Sequence, residues 1–236
     1  MHRPPRVDVA TYNVHRCVGL DGRHDPDRIA AVIRELAVDV IGLQEVDARA
    51  HVEAGIDQFD YLARATGFTA IAGPTLRRHE GHYGNALLTR WPVRHVQNLD
   101  LSVRGREPRG AIAAVVDTDR GAARVVVTHL GLRGGERRRQ VAQLLALVGK
   151  QPSPRPAVLL GDFNEWLGPA RVMRRLRRIF GSRALRSFPS KWPLLALDRV
   201  LVYPARALTD VRVHRTHLAR VASDHLPVRA TVRRLD

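Results

Sequence analysis

Asp162 and Asn164 stand two residues apart in Ala157-Val158-Leu159-Leu160-Gly161-Asp162-Phe163-Asn164. On an extended chain both side chains leave from the same side. A carboxylate and a carboxamide so placed can hold a hard divalent cation or move a proton. They can equally bond their own backbone in an Asx-type turn after a core strand. What favours chemistry is repetition. An apolar run leads to Asn13 after Val7 to Tyr12, to Glu45 after Asp39 to Gln44, and to His129 after Arg124 to Thr128. Leu194 to Leu197 leads to Asp198, and Ser223-Asp224-His225 opens a last strand at 226–228.

Elements able to carry these groups can be read from the apolar spacing. Continuous runs ahead of Asp162 and Glu45 predict strands buried on both faces, whose ends are where open α/β sheets hold ligands. Asp25-Pro26 has the N-cap and N1 chemistry of a helix start, and Ile29, Val32, Ile33 and Leu36 follow on one face. Further helices are predicted over 57–66, stopped by Gly67, over 135–149 and over 169–180, the last with Val172, Leu176, Ile179 and Phe180 inward. Residues 68–72 read as a strand, 75–83 as a polar surface loop, and 84–89 as a strand again. The runs 111–116 and 122–129 flank Asp117-Thr118-Asp119-Arg120-Gly121, a hairpin turn, so the sheet is mixed rather than simply doubly wound. Residues 151–156 form a stiff connector too short for a domain linker, and from Asp198 onward the chain reads as strands with arginine-rich outer faces.

At 236 residues the chain suits one large α/β domain covering 1–236. No apolar stretch approaches the roughly 20 residues that span a bilayer. Met1 to Arg6 offers no apolar signal segment, and Cys17 is the single cysteine, so a reducing, cytoplasmic setting and a monomer are the expectations. The formal net charge is +16 with Lys150 and Lys191 the only lysines. Such an arginine skew fits coding composition as well as an anionic partner, yet a positive field attracts phosphates whatever its origin.

Thr-Tyr-Asn at 11–13, Leu-Gln-Glu at 43–45, Gly-Asn-Ala at 84–86, Thr-His at 128–129, Gly-Asp-Phe-Asn at 161–164, Leu-Asp-Arg at 197–199 and Ser-Asp-His at 223–225 form an ordered set. That set resembles the endonuclease/exonuclease/phosphatase superfamily, from Asn13 to His225. The resemblance implies an α/β fold, a four-layer αββα sandwich of two packed mixed sheets flanked by helices, with a divalent-metal phosphoesterase site at one rim. It implies Glu45 as principal ligand of Mg²⁺ or Mn²⁺, with Asn13 beside it and Asp224 close to the metal. Asp162 would orient or deprotonate the attacking water, Asn164 would donate to the phosphate, and His129 would support the transition state. His225, a base held in orientation by Asp198, resembles the family's His–Asp pair, so that Asp162 or His225 would activate the water. Asn85 and Arg109 are candidates for contacting substrate phosphate, Arg109 through the fitness of a guanidinium for that task. The implied histidine chemistry makes the rate fall as pH drops through their titration.

His15 departs from the pattern, standing where exonuclease III-like repair enzymes carry an aspartate, and this argues against a close abasic-site endonuclease. Substrate choice would rest with residues 16–24, 73–83 and 103–109. Three functions stay open. The first is a nuclease-like, metal-dependent phosphodiester hydrolase (EC 3.1), endonuclease or exonuclease, with nucleic acid favoured by the charge. The second is a phospholipid (sphingomyelinase-like) or small-molecule phosphodiesterase or phosphatase, since a basic surface suits an anionic membrane equally. The third is a non-catalytic phosphate-binding module.

Overall fold

The computed structural model describes residues 6–48, 57–78, 81–118, 121–150, 156–166 and 171–233. Period-two alternation builds its centre. Val9 and Val40, from strands β1 (Arg6–Asn13) and β2 (Val40–Asp47), point inward. They meet Val125, Val127 and Leu160 from β7 (Gly121–His129) and β8 (Ala157–Asp162) in one apolar cluster between two sheets. Their neighbours Ala10, Tyr12, Ile41 and Leu43 point the other way, onto Ile29, Val32, Ile33 and Leu36 of α1 (Pro26–Leu36) and Phe59 and Leu62 of α2 (Gln58–Thr66). Fully burying each large apolar side chain is worth about 1.5–3 kcal/mol. On the opposite outer face Val126 and Leu159 meet Val141 and Leu144 of α3 (Gly134–Lys150) and Leu176 of α4 (Arg171–Arg177). The layers are therefore helix, sheet, sheet, helix, an α/β sandwich as the sequence implied.

With β3 (Thr69–Arg78), β4 (Gly81–Thr89), β10 (Leu208–Val213) and β11 (Val228–Arg233), the first sheet runs β10-β11-β1-β2-β4-β3. With β5 (Val93–Asp100), β6 (Gly110–Thr118) and β9 (Asp198–Tyr203), the second runs β5-β6-β7-β8-β9. Both are mixed. β1 pairs parallel with β2, and β7 with β8, while β9 lies antiparallel to β8 with Asp162 opposite Asp198. The C-terminal ends of β1, β2, β7 and β8 and the N-terminal ends of β6 and β9 thus supply side chains to one rim. Gly42 brings the sheets together beneath it, since a Cβ there would lie 2.9 Å from both Val127 methyls.

Helix starts follow their capping residues. Asp25 Oδ1 accepts from Arg28 N at 2.9 Å ahead of α1, and Asp57 caps α2 by accepting from Phe59 N and Asp60 N, with Gly67 closing it at φ 71°. Three expectations need correction, and one strand lay outside them. Residues 75–78 and 81–83 are not a loop: β3 and β4 pair out to Arg78 and Gly81, because backbone bonding needs no apolar side chains. The helix expected over 169–180 ends at Arg177, and Ile179 is exposed rather than inward. The stretch after Asp198 is not all strand, for α5 (His217–Ala222) interrupts it with Ala219 and Ala222 buried. β5, which the sequence pattern did not suggest, is an edge strand almost wholly exposed, so its side chains show no burial pattern. The predicted features at 1–5, 119–120, 151–155 and 169–170, and His79-Glu80, lie outside the described residues.

Candidate active site

Asn13, at the end of β1, sits at the junction of the site. Its Nδ2 donates to Glu45 Oε1 at 3.1 Å and approaches Asp162 Oδ2 at 3.3 Å, while its Oδ1 accepts from His15 N at 3.1 Å. Both of its amide atoms are thereby oriented. Glu45 is placed by a break in β2: the register with β4 shifts between Leu43 and Val46, and Glu45 takes φ 60°, a left-handed conformation unusual for a non-glycine residue. Asn164 does the same at φ 49°, just beyond β8. Two strained backbones in one site signal that geometry there is held by the surroundings. Gly161 is needed beside Asp162 because a Cβ would stand 2.2 Å from Thr128 O of β7.

Asp162 is buried and accepts from Asn164 N at 2.9 Å through Oδ1. Burial raises its pKa to about 6; the His225 charge pulls it down and Asp198 pushes it up. His225 Nδ1 lies 2.8 Å from Asp198 Oδ2, which also accepts from Ser187 Oγ at 2.5 Å, and His225 Nε2 points to Asp162 Oδ2 at 3.7 Å. Burial disfavours its charged ring, but Asp198, by charge and hydrogen bond, then Asp162 and Asp224, outweigh that and raise its pKa to about 10. The Phe188 ring, 4.7 Å from its centroid, closes one side.

His129 is the opposite case. Burial first, then the charges of Arg109 and His225, hold its pKa well below the usual histidine value, so the ring is neutral. Arg109 Nη1 stands 3.2 Å from His129 Nδ1. A guanidinium has only donors, so Nδ1 must present its lone pair and the proton rides on Nε2. Nε2 lies 3.5 Å from Asp162 Oδ2 and 3.0 Å from Asn164 Nδ2, which gives one of its two N–H groups to Leu130 O at 2.9 Å. Arg109 also donates from Nη2 to Glu107 at 3.1 Å, and its buried Nε has no partner.

Asp224 is half-buried, with Oδ1 3.3 Å from Ser223 Oγ and 3.9 Å from His15 Nδ1. Ser223 Oγ donates to Asn13 O at 2.7 Å, tying the last site segment to the first. Asn85 is buried and donates to Gly110 O at 3.1 Å; it lines a small cleft with Glu45, Tyr83, Arg109 and His129. Glu45, Asp162, Asp198, His225, His129 and Asn164 therefore form one connected group through Asn13. Ser187, Ser223, Tyr83 and Phe188 join it without having been singled out by the sequence pattern; only Ser223 had a signal, its place in Ser-Asp-His.

The residues present fit a divalent cation. Glu45 accepts from the Asn13 amide at 3.1 Å, and among the described residues Asp198 Oδ1 is buried without a partner. Asp162, Asp198 and His225 offer ligand atoms within 4.8 Å of one another. His225 Nδ1 is committed to Asp198, whereas Asn13 ties Glu45 to Asp162.

Residues 10–225 match the Endonuclease/Exonuclease/phosphatase family. The chain belongs to that family. Members of the endonuclease/exonuclease/phosphatase family are generally hydrolytic phosphoesterases, typically dependent on a divalent metal. Escherichia coli (strain K12) YbhP is 34% identical over 241 residues, covering 95% of each chain. The endonuclease/exonuclease/phosphatase from Bacteroides vulgatus shares the fold at TM-score 0.80 and 19% identity, over 98% of this chain and 100% of that one. Bacteroides thetaiotaomicron mannosyl-6-phosphatase does so at TM-score 0.73 and 17% identity, over 95% and 98%. No helix among the described residues is long and apolar enough to cross a membrane.

Proposed function

We propose that the chain is a phosphodiester hydrolase dependent on Mg²⁺ or Mn²⁺, directing water in line onto phosphorus. The observation that carries this is the convergence, through Asn13, of one ionisable base, one charged and one neutral imidazole, and an oxygen-rich pocket. Glu45, Asn13 and Asp224 would hold the cation. When bound, it supplies neutralisation of the phosphate charge and of the leaving oxygen.

The protein's own groups divide the remaining work by protonation state. Above about pH 6 Asp162 is ionised and can take a proton from water. His225 remains an imidazolium to about pH 10, which makes it a donor at Nε2 rather than the base. His129 is neutral with its proton on Nε2, a second donor for a phosphoryl oxygen, and Asn164 Nδ2 is a third. Water loses its proton to Asp162 Oδ2, its oxygen bonds to phosphorus, and the opposite P–O ester bond breaks. The acid limb of the rate then belongs to Asp162, not to the histidines. Arg109 serves this chemistry from behind His129, and Asn85 holds the floor through Gly110 O.

Nucleic acid as substrate is supported by the +16 charge alone. A lipid phosphodiester is favoured by a separate feature, the exposed apolar side chains on the loops around the site. Turnover of bis-p-nitrophenyl phosphate, plasmid DNA, RNA, sphingomyelin and anionic phospholipid, each with Mg²⁺, Mn²⁺ or chelator, tests the reading. The expected result is metal-dependent hydrolysis lost in Asp162→Ala. Full turnover in chelator, or in that variant, sinks it.

A further inference from the structure

Large apolar side chains exposed to water are unevenly distributed over this protein. Among the described residues they are Leu20, Val96, Leu132, Trp166, Ile179, Trp192 and Leu194. Val96 lies on edge strand β5 and Ile179 just after α4. The other five all stand on loops of the catalytic rim. Leu20 follows Asn13 and β1, Leu132 follows His129 and β7, and Trp166 lies two residues beyond Asn164. Trp192 and Leu194 precede Asp198, which opens β9 opposite Asp162.

The tips are far from incidental exposure: Trp192 is 71% exposed, Leu194 65% and Leu132 58%. Trp192 and Leu194 sit in a turn closed by Leu194 N and Leu195 N donating to Phe188 O, both at 2.8 Å. Phe188 lies against His225 with the rings tilted 45°, and Trp166 meets Phe188 edge-on at 6.2 Å, so apolar surface continues from the rim down to the His225 imidazole. Cations alternate with these tips. Arg16, Arg133 and Lys191 are exposed on the same loops, and Arg104 and Arg106 on the loop between β5 and β6. An open groove of about 880 Å³ beside Asp21 sets Leu20 and Val221 against Lys191, Arg220 and His217.

Nucleic acid would find use for the arginines and for a stacking tryptophan, but three exposed leucines offer it nothing. A bilayer interface takes all of them: tryptophan and leucine at the headgroup and acyl boundary, arginine and lysine on anionic headgroups. A second copy of the chain is disfavoured by the repulsion of +16 against +16. We propose that the rim formed by Leu20, Leu132, Trp166, Trp192 and Leu194 docks on an anionic phospholipid surface. The site then faces the plane of the headgroup phosphodiesters. This deepens the phosphodiesterase reading by naming its substrate class, and its reaction rests on that reading, whereas the docking does not.

Flotation of the full chain with vesicles tests it. One set is phosphatidylcholine alone and the other equal parts phosphatidylcholine and phosphatidylglycerol, with tryptophan emission recorded on binding. The expected result is flotation with the anionic set and a blue shift. Trp192→Ser with Leu194→Ser should weaken binding by about tenfold or more and remove the shift. Lys191→Glu, as an independent variant, should weaken binding to the anionic set only. Circular dichroism melting of each variant checks the fold. No flotation overturns the proposal, as does flotation untouched by the double substitution. Tighter binding to duplex DNA, weakened by that same substitution, also overturns it in favour of a nucleic-acid face. Binding is read without turnover, and Glu45→Gln should still float. A chain that floats but hydrolyses nothing sinks the phosphodiesterase reading alone; one that hydrolyses soluble phosphodiester but ignores vesicles sinks the docking alone.

Discussion

Replacing Asp198 by Asn removes the charge that keeps His225 protonated and leaves the side chain's volume in place. His225 titrates near 10, against the 6.5 of an ordinary histidine. That gap corresponds to about 5 kcal/mol of preference for the imidazolium. Burial opposes the charge, and Asp198 Oδ2, 2.8 Å from Nδ1, is the largest influence in its favour. With an amide there, only Asp162 and Asp224 still oppose burial, and the pKa falls by about four units, leaving a mostly neutral ring at pH 7. The wild-type rate should be flat between about pH 6, where Asp162 ionises, and about pH 10, where His225 deprotonates. In Asp198→Asn the upper limb moves down towards the lower one, so the plateau collapses into a narrow, acidic optimum. Turnover at pH 7 should drop by about 10²–10⁴. The assay is kcat against pH on bis-p-nitrophenyl phosphate, with the His225 ring nitrogens followed by ¹⁵N NMR. A variant that keeps its broad plateau and stays within about threefold of wild type, under 1 kcal/mol, would refute the reasoning.

Other perturbations follow from the same geometry. Arg109→Met frees His129 Nδ1, so the fixed Nε2–H tautomer seen by ¹⁵N NMR should give way to a mixture, with kcat lowered about tenfold or more; Arg109→Gln, which keeps a donor, should recover part of both. An unchanged tautomer in Arg109→Met counts against the lock. Gly161→Ala should destabilise by about 2–4 kcal/mol in urea unfolding, because its Cβ would meet backbone, and an unchanged midpoint would contradict the close approach. His225 has its folded pKa raised above the unfolded one, so its stabilising contribution is complete below about pH 6.5 and vanishes as pH rises through about 10. Tm should therefore fall between pH 7 and 10, and the slope should flatten in His225→Gln.

Why some of this was legible and some was not has a physical cause. Asn13, Glu45, His129, Asp162 and Asp198 each follow or open a buried strand, and a strand fixes both where its end lies and which side a residue faces. Order along the chain then carries the family's plan, and the four layers with it. Ser187 carries no such mark: Arg186-Ser187-Phe188 is an irregular segment, and its bond to Asp198 comes from a fold that brings 187 beside 198. β5 escaped notice because backbone pairing to β6 holds it with little side-chain burial. The apolar pattern marks 68–72 and 84–89 as strands but not their pairing on to Arg78 and Gly81, where the side chains are polar. Charge states were beyond reach altogether. The three-letter patterns make His129 and His225 look alike, whereas Arg109 beside one and Asp198 beside the other give them opposite protonation at neutral pH.

That opposition explains how two sheets produce one asymmetric site. The first sheet brings Asn13 and Glu45, the second His129, Asp162 and Asp198, and the segment leading into β11 adds Asp224 and His225. Where the strand ends meet, water is excluded, so a single neighbouring charge decides each group's state. Asp162, deep between the two imidazoles, is the only one of the three brought close to neutrality. A base in that range must be buried, and a buried carboxylate beside the proposed cation pocket is destabilising until both are occupied. The strained Glu45 and Asn164 backbones and the partnerless Asp198 Oδ1 belong to the same cost. Mg²⁺ or Mn²⁺ should accordingly raise Tm, and Glu45→Gln should abolish that rise without lowering Tm in chelator. A Glu45→Gln chain still stabilised by the ion would place the cation elsewhere, against the arrangement in which the first sheet holds the metal and the second holds the proton.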